Sequence, residues 1–125
     1  MITLYGIKTC GSVRKAIALL EKHSIPFNFV DLKTHSLNNA LITSWIEKKG
    51  IKIVLNTKGT TYKNLKKEGV IVDSTLETLS KQIALLTQYP LLLKRPIITY
   101  ENELIIGYDE ARIIALVQSY QNHKF

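Results

Sequence analysis

The chain has 125 residues, enough for one domain whose core needs neither disulfide nor metal. Its one cysteine excludes an internal disulfide, and the scattered His23, His35 and His123 offer no metal-ligand spacing, so no metal is expected. A formal charge of +7 admits nucleic acid, a small anion or a merely basic surface; the lysines are spread, concentrating only at Lys58, Lys63, Lys66, Lys67 and at Lys94-Arg95, and no nucleic-acid-reading motif accompanies them.

Residues 2–6 alternate and end at Gly6, which predicts a strand. No basic segment followed by an apolar stretch opens the chain, and no run approaches the ~18–20 apolar residues of a membrane span, so a cytoplasmic, membrane-free protein is expected. From Ser12 to Lys22, Val13, Ala16, Ile17, Leu19 and Leu20 recur at helical spacing. Ile25 to Asp31 then predicts a second strand, entered through Pro26. This is a minimal β-α-β unit, which requires parallel strands and a right-handed crossover.

From Ser36 to about Tyr89 the pattern is helical. Leu37 to Lys49 places Leu41, Ile42, Trp45 and Ile46 on one apolar face, assigns Trp45 to the core and stops at Gly50. Lys58 to Lys67 follows, with Tyr62 as a packing residue, and then Thr75 to Thr87, for which Ser74-x-x-Glu77 reads as a capping box. Beyond Pro96, Ile97 to Tyr100, an intervening Glu101-Asn102 turn and Glu103 to Gly107 predict an antiparallel hairpin. A final helix is expected from Asp109 to about Ser119, with residues 121–125 fraying. The order β-α-β, helices, β-β-α is a thioredoxin-like α/β arrangement: one domain over 1–125, a mixed four-stranded sheet and an all-helical insertion at about 36–89. A monomer is expected, since no stretch demands an apolar interface once the core is assigned.

Cys10 falls between the first strand and the first helix, in Tyr5-Gly6-Ile7-Lys8-Thr9-Cys10-Gly11-Ser12-Val13-Arg14-Lys15-Ala16. Unpaired N–H groups and the positive dipole end at a helix mouth favour thiolate over thiol. An ordinary cysteine, with a pKa of about 8.5, is only a few per cent ionised at neutral pH; a fall of about two units makes it mostly thiolate. Arg14 and Lys15, one turn on, push the same way. The alternative is an inert buried cysteine, which is common in proteins at large but fits this position less well.

Four pieces of the chain carry a likeness: Tyr5-Gly6-Ile7-Lys8-x-Cys10 with Arg14-Lys15-Ala16, then Leu55-Asn56-Thr57-Lys58-Gly59-Thr60-Thr61-Tyr62, then Lys94-Arg95-Pro96, then Ile106-Gly107-Tyr108. In this order they resemble the ArsC-type arsenate reductase superfamily, most of all its YffB-type branch, with the Spx regulators as cousins. The resemblance implies a thioredoxin-like core with a helical insertion and a catalytic cysteine before the first helix. In ArsC reductases that thiolate attacks an arsenate oxyanion, and glutathione with glutaredoxin regenerates it. Cys10, Gly11 and Arg14 align with the Cys-Gly-x-x-Arg of that loop.

A tetrahedral oxyanion needs converging donors: helix-end N–H groups, the Ser12 hydroxyl and an arginine able to fork two oxygens. Arg95 is the candidate for that fork, since in the resembling families the Arg-Pro bond is cis and lies beside the cysteine, bringing Arg95 and Pro96 to the thiol. Taken without the family, Arg95 reads as a surface charge. Thr57, Lys58, Gly59, Thr60 and Thr61 suit a glutathione carboxylate or another anion, or equally an ordinary helix-capping loop. Tyr5 and Tyr108 either line the cysteine pocket or belong to the core, the commoner place for such aromatics.

Two departures matter. ArsC reductases use two further arginines, and this chain has Asn56 and Gly107 at those places. The loss of each charge-assisted bond costs about 1.5–3 kcal/mol, which argues against efficient arsenate reduction. The YffB-type branch shares these departures and is regarded as a glutathione-linked thiol reductase. Spx regulators place a second cysteine three residues after the first; here that residue is Val13, and an intramolecular switch cannot operate.

The resulting expectation is a monothiol oxidoreductase with Cys10 as nucleophile, Arg95 and Arg14 as catalytic partners, and Gly11, Ser12, Asn56, Lys58, Thr60 and Pro96 binding substrate or anion. Glutathione would be a co-substrate, with no bound cofactor, and glutathione or glutaredoxin would recycle the cysteine. The alternative is a Spx-like regulatory protein that binds RNA polymerase through its basic insertion.

Overall fold

The computed structural model describes residues 1–123. In chain order the elements are β1 (Ile2–Gly6), α1 (Gly11–Lys22), β2 (Phe27–Asp31), α2 (Asn39–Lys49), α3 (Ile51–Val54), α4 (Thr60–Lys67), α5 (Leu79–Gln88), β3 (Ile97–Tyr100), β4 (Glu103–Ile106) and α6 (Glu110–His123). They form two compact units, one of Met1–Leu32 with the chain from Arg95 onward, the other of Lys33–Lys94.

In the first unit a four-stranded sheet has the order β2-β1-β3-β4. β1 runs parallel to β2, with Ile2 opposite Phe27 and Gly6 opposite Asp31, as a minimal β-α-β unit requires. β3 is antiparallel to both β1 and β4, so the sheet is mixed and the hairpin forms as expected. β2 starts at Phe27, later than the sequence pattern suggests, because Ile25 is spent on ending α1: it is buried, and its N–H donates to the Leu20 carbonyl at 3.0 Å.

Alternation along β1 buries Ile2 and Leu4 on one face, where they join Val13, Ala16 and Leu20 of α1, Ile98, Ile105, and Ile113, Leu116 and Val117 of α6. Each large side chain so buried stabilises the fold by about 1.5–3 kcal/mol. α6 begins where Asp109 Oδ1 accepts the Arg112 N–H at 3.1 Å. It continues past Ser119 to His123, so residues 121–123 are helical where fraying was expected. A 2.8 Å hydrogen bond between the Tyr100 hydroxyl and His123 Nδ1 holds the last turn. Lys124 and Phe125, part of that expectation, lie outside the described residues.

The second unit is helical, apart from one bridge of Leu55 with Leu93. α2 starts at Asn39, two residues later than its periodicity suggests, because Asn38 caps it by accepting the Leu41 N–H at 2.8 Å. Ile42, Trp45 and Ile46 are buried, and Gly50 ends the helix at φ 83°, a conformation that favours glycine. The β-branched run after it makes a single helical turn, α3, instead of a strand. α4 starts at Thr60, with Lys58 and Gly59 in the loop before it.

The expected capping box at Ser74 does not form. Asp73–Leu76 is a 3-10 turn, in which Thr75 Oγ1 accepts the Val72 N–H at 3.0 Å and the Glu77 N–H reaches the Ser74 backbone carbonyl. α5 starts only after Thr78, whose Oγ1 accepts the Lys81 N–H at 3.2 Å. Two capping hydroxyls lie four residues apart in this stretch, and the later one starts the helix. Among the described residues no helix is long and apolar enough to cross a membrane.

Candidate active site

The site grows out of the end of β1. After Gly6 the chain turns through Ile7, Lys8 and Thr9, and the Cys10 N–H donates to the Ile7 carbonyl at 3.2 Å. Cys10 is extended, at φ −81° and ψ 127°, and its carbonyl accepts the Arg14 N–H at 3.0 Å to close the first turn of α1. It is therefore the N-cap residue, and its sulfur occupies the place where a capping oxygen would meet the N–H groups two and three residues on. Those belong to Ser12 and Val13. Cys10 is half-buried and packs against the core of the first unit.

Burial by itself raises the thiol pKa, but four effects oppose it: the Val13 N–H, a hydrogen bond from the Arg95 side chain, the Ser12 N–H and the Arg95 positive charge. They prevail, and the thiol lies below its ordinary value. The sulfur makes no full capping hydrogen bond, so these N–H groups act as nearby dipoles that favour the anion. Arg95 reaches it from the segment before β3, through a cis Arg95–Pro96 peptide. Pro96 is buried, and its carbonyl accepts the Gly107 N–H at 2.8 Å.

The structure thus brings the Arg95 side chain and the Ser12 backbone to Cys10, with Pro96 next in chain to Arg95 and Gly11 as the exposed first residue of α1. Arg14 and Lys15 do not take the role expected of them. Both are exposed, neither is among the groups that lower the thiol, and the Lys15 amino group lies 5.9 Å from the Tyr108 ring centre. The helix-mouth N–H groups expected to favour the thiolate are those of Ser12 and Val13; the sequence reading names neither backbone, although Val13 lies three residues from the cap and its side chain is core.

Asn56, Lys58 and Thr60 belong to the second unit and form a group of their own. Asn56 Oδ1 accepts the Lys58 N–H at 3.3 Å, the Asn56 N–H donates to the Leu92 carbonyl at 2.8 Å, and Thr60 opens α4. Gly107, at the other place where an arginine was looked for, is buried and has φ 89°, where a side chain is strained. Tyr5 is half-buried and bonded to Thr99; burial above all raises its phenol pKa. Tyr108 is exposed, outside the core. Among the described residues no group of three or more His, Cys, Asp or Glu side chains is placed to hold a metal ion.

This arrangement supplies an ionisable sulfur at a helix start and one arginine able to fork an anion. The chain has no second thiol, so any covalent adduct on Cys10 must be released by a thiol from outside.

A family model described as ArsC family matches residues 5–116. An uncharacterized protein of Haemophilus influenzae is 33% identical over 110 residues, covering 88% of this chain and 93% of its own length. The global transcriptional regulator Spx of Streptococcus pneumoniae is 32% identical over 127 aligned positions, 99% of this chain and 92% of its own length. Among solved structures, a YffB protein matches with a TM-score of 0.82 at 25% identity, covering 94% of this chain and 99% of that one. A possible arsenate reductase from Streptococcus mutans matches with a TM-score of 0.69 at 29% identity, covering 86% of this chain and 91% of that one.

Proposed function

The chain belongs to the ArsC family, and from that premise we propose that it is a monothiol reductase in which Cys10 is the nucleophile and glutathione the recycling thiol. The observation that carries this reading is the half-buried sulfur at the start of α1, opposite the Ser12 and Val13 N–H groups and bonded by Arg95. In the first step the Cys10 thiolate attacks one sulfur of a substrate–glutathione disulfide. The new Cys10 S–S bond forms as the old one breaks, and the substrate thiolate leaves with the electron pair. A glutathione thiolate then attacks the Cys10 mixed disulfide, forming oxidised glutathione and returning the Cys10 thiolate. Arg95 stabilises the attacking anion and offers its fork to a carboxylate or oxyanion of the substrate. Arsenate is the weaker substrate, because Arg95 is the one guanidinium among the groups that act on the sulfur, and Gly107 supplies no other.

The test is the alkylation rate of Cys10 against pH, alone and with glutathione disulfide or arsenate present. A thiolate pKa below about 7.5 with protection by glutathione disulfide supports the reading, protection by arsenate alone redirects it to oxyanions, and a pKa near 8.5 without protection overturns it.

A second reading is favoured by the Spx likeness, which spans 99% of the chain. Here the protein is a regulator that binds RNA polymerase and its thiol is not used in turnover. Binding to purified RNA polymerase that survives Cys10→Ser, in a chain with no thiol–disulfide exchange activity, would favour it over the reductase.

A further inference from the structure

We infer that Gly6 and Val13 are a size-matched pair that seats the first turn of α1 against the end of β1 and so aims the Val13 N–H at the Cys10 sulfur. A Cβ at Gly6 would stand 2.7 Å from Val13 Cγ2 and 3.0 Å from Cγ1, inside the distance at which carbon atoms meet. Strand and helix therefore approach as closely as only a glycine permits. Backbone freedom is not the reason for this glycine, since Gly6 is not among the positive-φ residues of the chain.

Neither partner has an easy retreat. Val13 is fully buried and β-branched, and in a helix such a side chain keeps essentially one rotamer. Gly6 is fixed by its pairing with Asp31 and by its carbonyl, which accepts the Leu32 N–H at 2.9 Å. Added bulk at Gly6 must therefore displace the first turn of α1, which carries the Val13 N–H. Burial raises the Cys10 thiol, and the Val13 N–H is foremost among the single effects that lower it, so a displaced turn gives up a leading favourable effect. Gly6 and Val13 are positioning residues: they act on the sulfur through the backbone. The inference deepens the monothiol reading and rests on it for its functional meaning, but it is tested on the thiol without substrate.

The experiment measures the ultraviolet thiolate absorbance against pH in the full chain for Gly6→Ala, Val13→Ala and the double variant. Gly6→Ala is expected to raise the thiolate pKa by about one unit, a tenfold loss of thiolate near neutral pH. Val13→Ala keeps its N–H and is expected to leave the pKa within about 0.3 units of the unaltered chain, and the double variant to restore it, because removing both Val13 methyl groups makes room for the new Cβ. A folded Gly6→Ala with an unchanged pKa, or a double variant that folds with a raised pKa, overturns the inference. Should Gly6→Ala fail to fold, the double variant decides: folding with the original pKa supports the pair, and failure to fold overturns it. Absence of glutathione-linked turnover in the unaltered chain, with the variant titrations responding as described, sinks the reductase reading and leaves the pair standing.

Discussion

Two loops of this protein enter helices in similar ways and differ in what they can do. One precedes α1 and ends in Cys10; the other, Asn56 to Gly59, precedes α4. Both N-cap residues are extended, neither makes a side-chain capping bond, and neither helix carries an acidic residue in its first turn. Both involve a glycine held close to a neighbouring side chain: a Cβ at Gly6 meets Val13 Cγ2 at 2.7 Å, and one at Gly59 meets Asn56 Nδ2 at 2.8 Å. In the α4 loop the cap is the glycine itself, and the Asn56 amide turns inward onto the Lys58 N–H. In the α1 loop the cap is an ionisable sulfur, and a guanidinium distant in sequence reaches it. A helix start becomes reactive when its cap can hold a charge and a second segment supplies the counter-charge; exposed N–H groups alone do not suffice.

The largest expected effect is that of removing the sulfur. Cys10→Ser should reduce thiol–disulfide exchange to the background rate while retaining the fold, as judged by circular dichroism. The same variant reports on stability. The folded thiol lies below its unfolded value of about 8.5, so its contribution is complete above that pH and is lost as pH falls through the folded pKa. In denaturant unfolding, the advantage of the unaltered chain over Cys10→Ser should therefore grow with pH between the two pKa values and be flat outside them. A difference that shrinks with rising pH would contradict the lowered thiol.

Next in size is Arg95→Ala, which takes away both a hydrogen bond and a positive charge from the sulfur. The thiolate pKa should rise by about one unit, and alkylation near pH 7 should slow by up to about tenfold. Arg95→Lys, keeping the charge without the fork, should fall between. If Arg95→Ala leaves the titration unmoved, the contrast between the two loops loses its counter-charge.

Gly59→Ala should act on stability alone. The Asn56 amide must swing away and give up the Lys58 bond, at about 0.5–1.5 kcal/mol in chemical unfolding, with no change in the thiol titration. Smallest is Gly11→Ala. A Cβ there meets nothing within 4 Å, and alanine is the better helix former, so the melting temperature should stay level or rise, by no more than about 1 kcal/mol in stability. Set beside Gly6→Ala, it separates a glycine required by contact from one that is not.

Much of the first unit was legible in the sequence. Alternation marked β1, two apolar runs around the Glu101-Asn102 turn marked the hairpin, and the spacing of Val13, Ala16, Leu19 and Leu20 marked α1. The second unit was harder where local signals compete. Ser74 and Thr78 both offer a hydroxyl before an apolar run, and which one starts the helix depends on how the preceding chain closes on Val72. Ile51, Ile53 and Val54 have strand-like side chains, yet they follow a positive-φ glycine and make one helical turn. Within the site, Cys10 was visible from its position alone. Arg95 was not, since 84 residues separate the two and nothing local in Lys94-Arg95-Pro96 distinguishes it from a surface charge; only the family likeness pointed to it.

The single half-buried thiol at the mouth of α1 also fixes the order of the chemistry. A neighbouring thiol in the same chain would act at an effective molarity on the order of 10⁵ M or more when well oriented. Without one, and if the monothiol reading holds, release of a Cys10 mixed disulfide would be a collision with an outside thiol, first order in that thiol. The fraction of protein held in the oxidised form at steady state would then fall as the ambient concentration of that thiol rises. A chain with a second, well-placed cysteine would report its own internal equilibrium, whereas this one would report the supply.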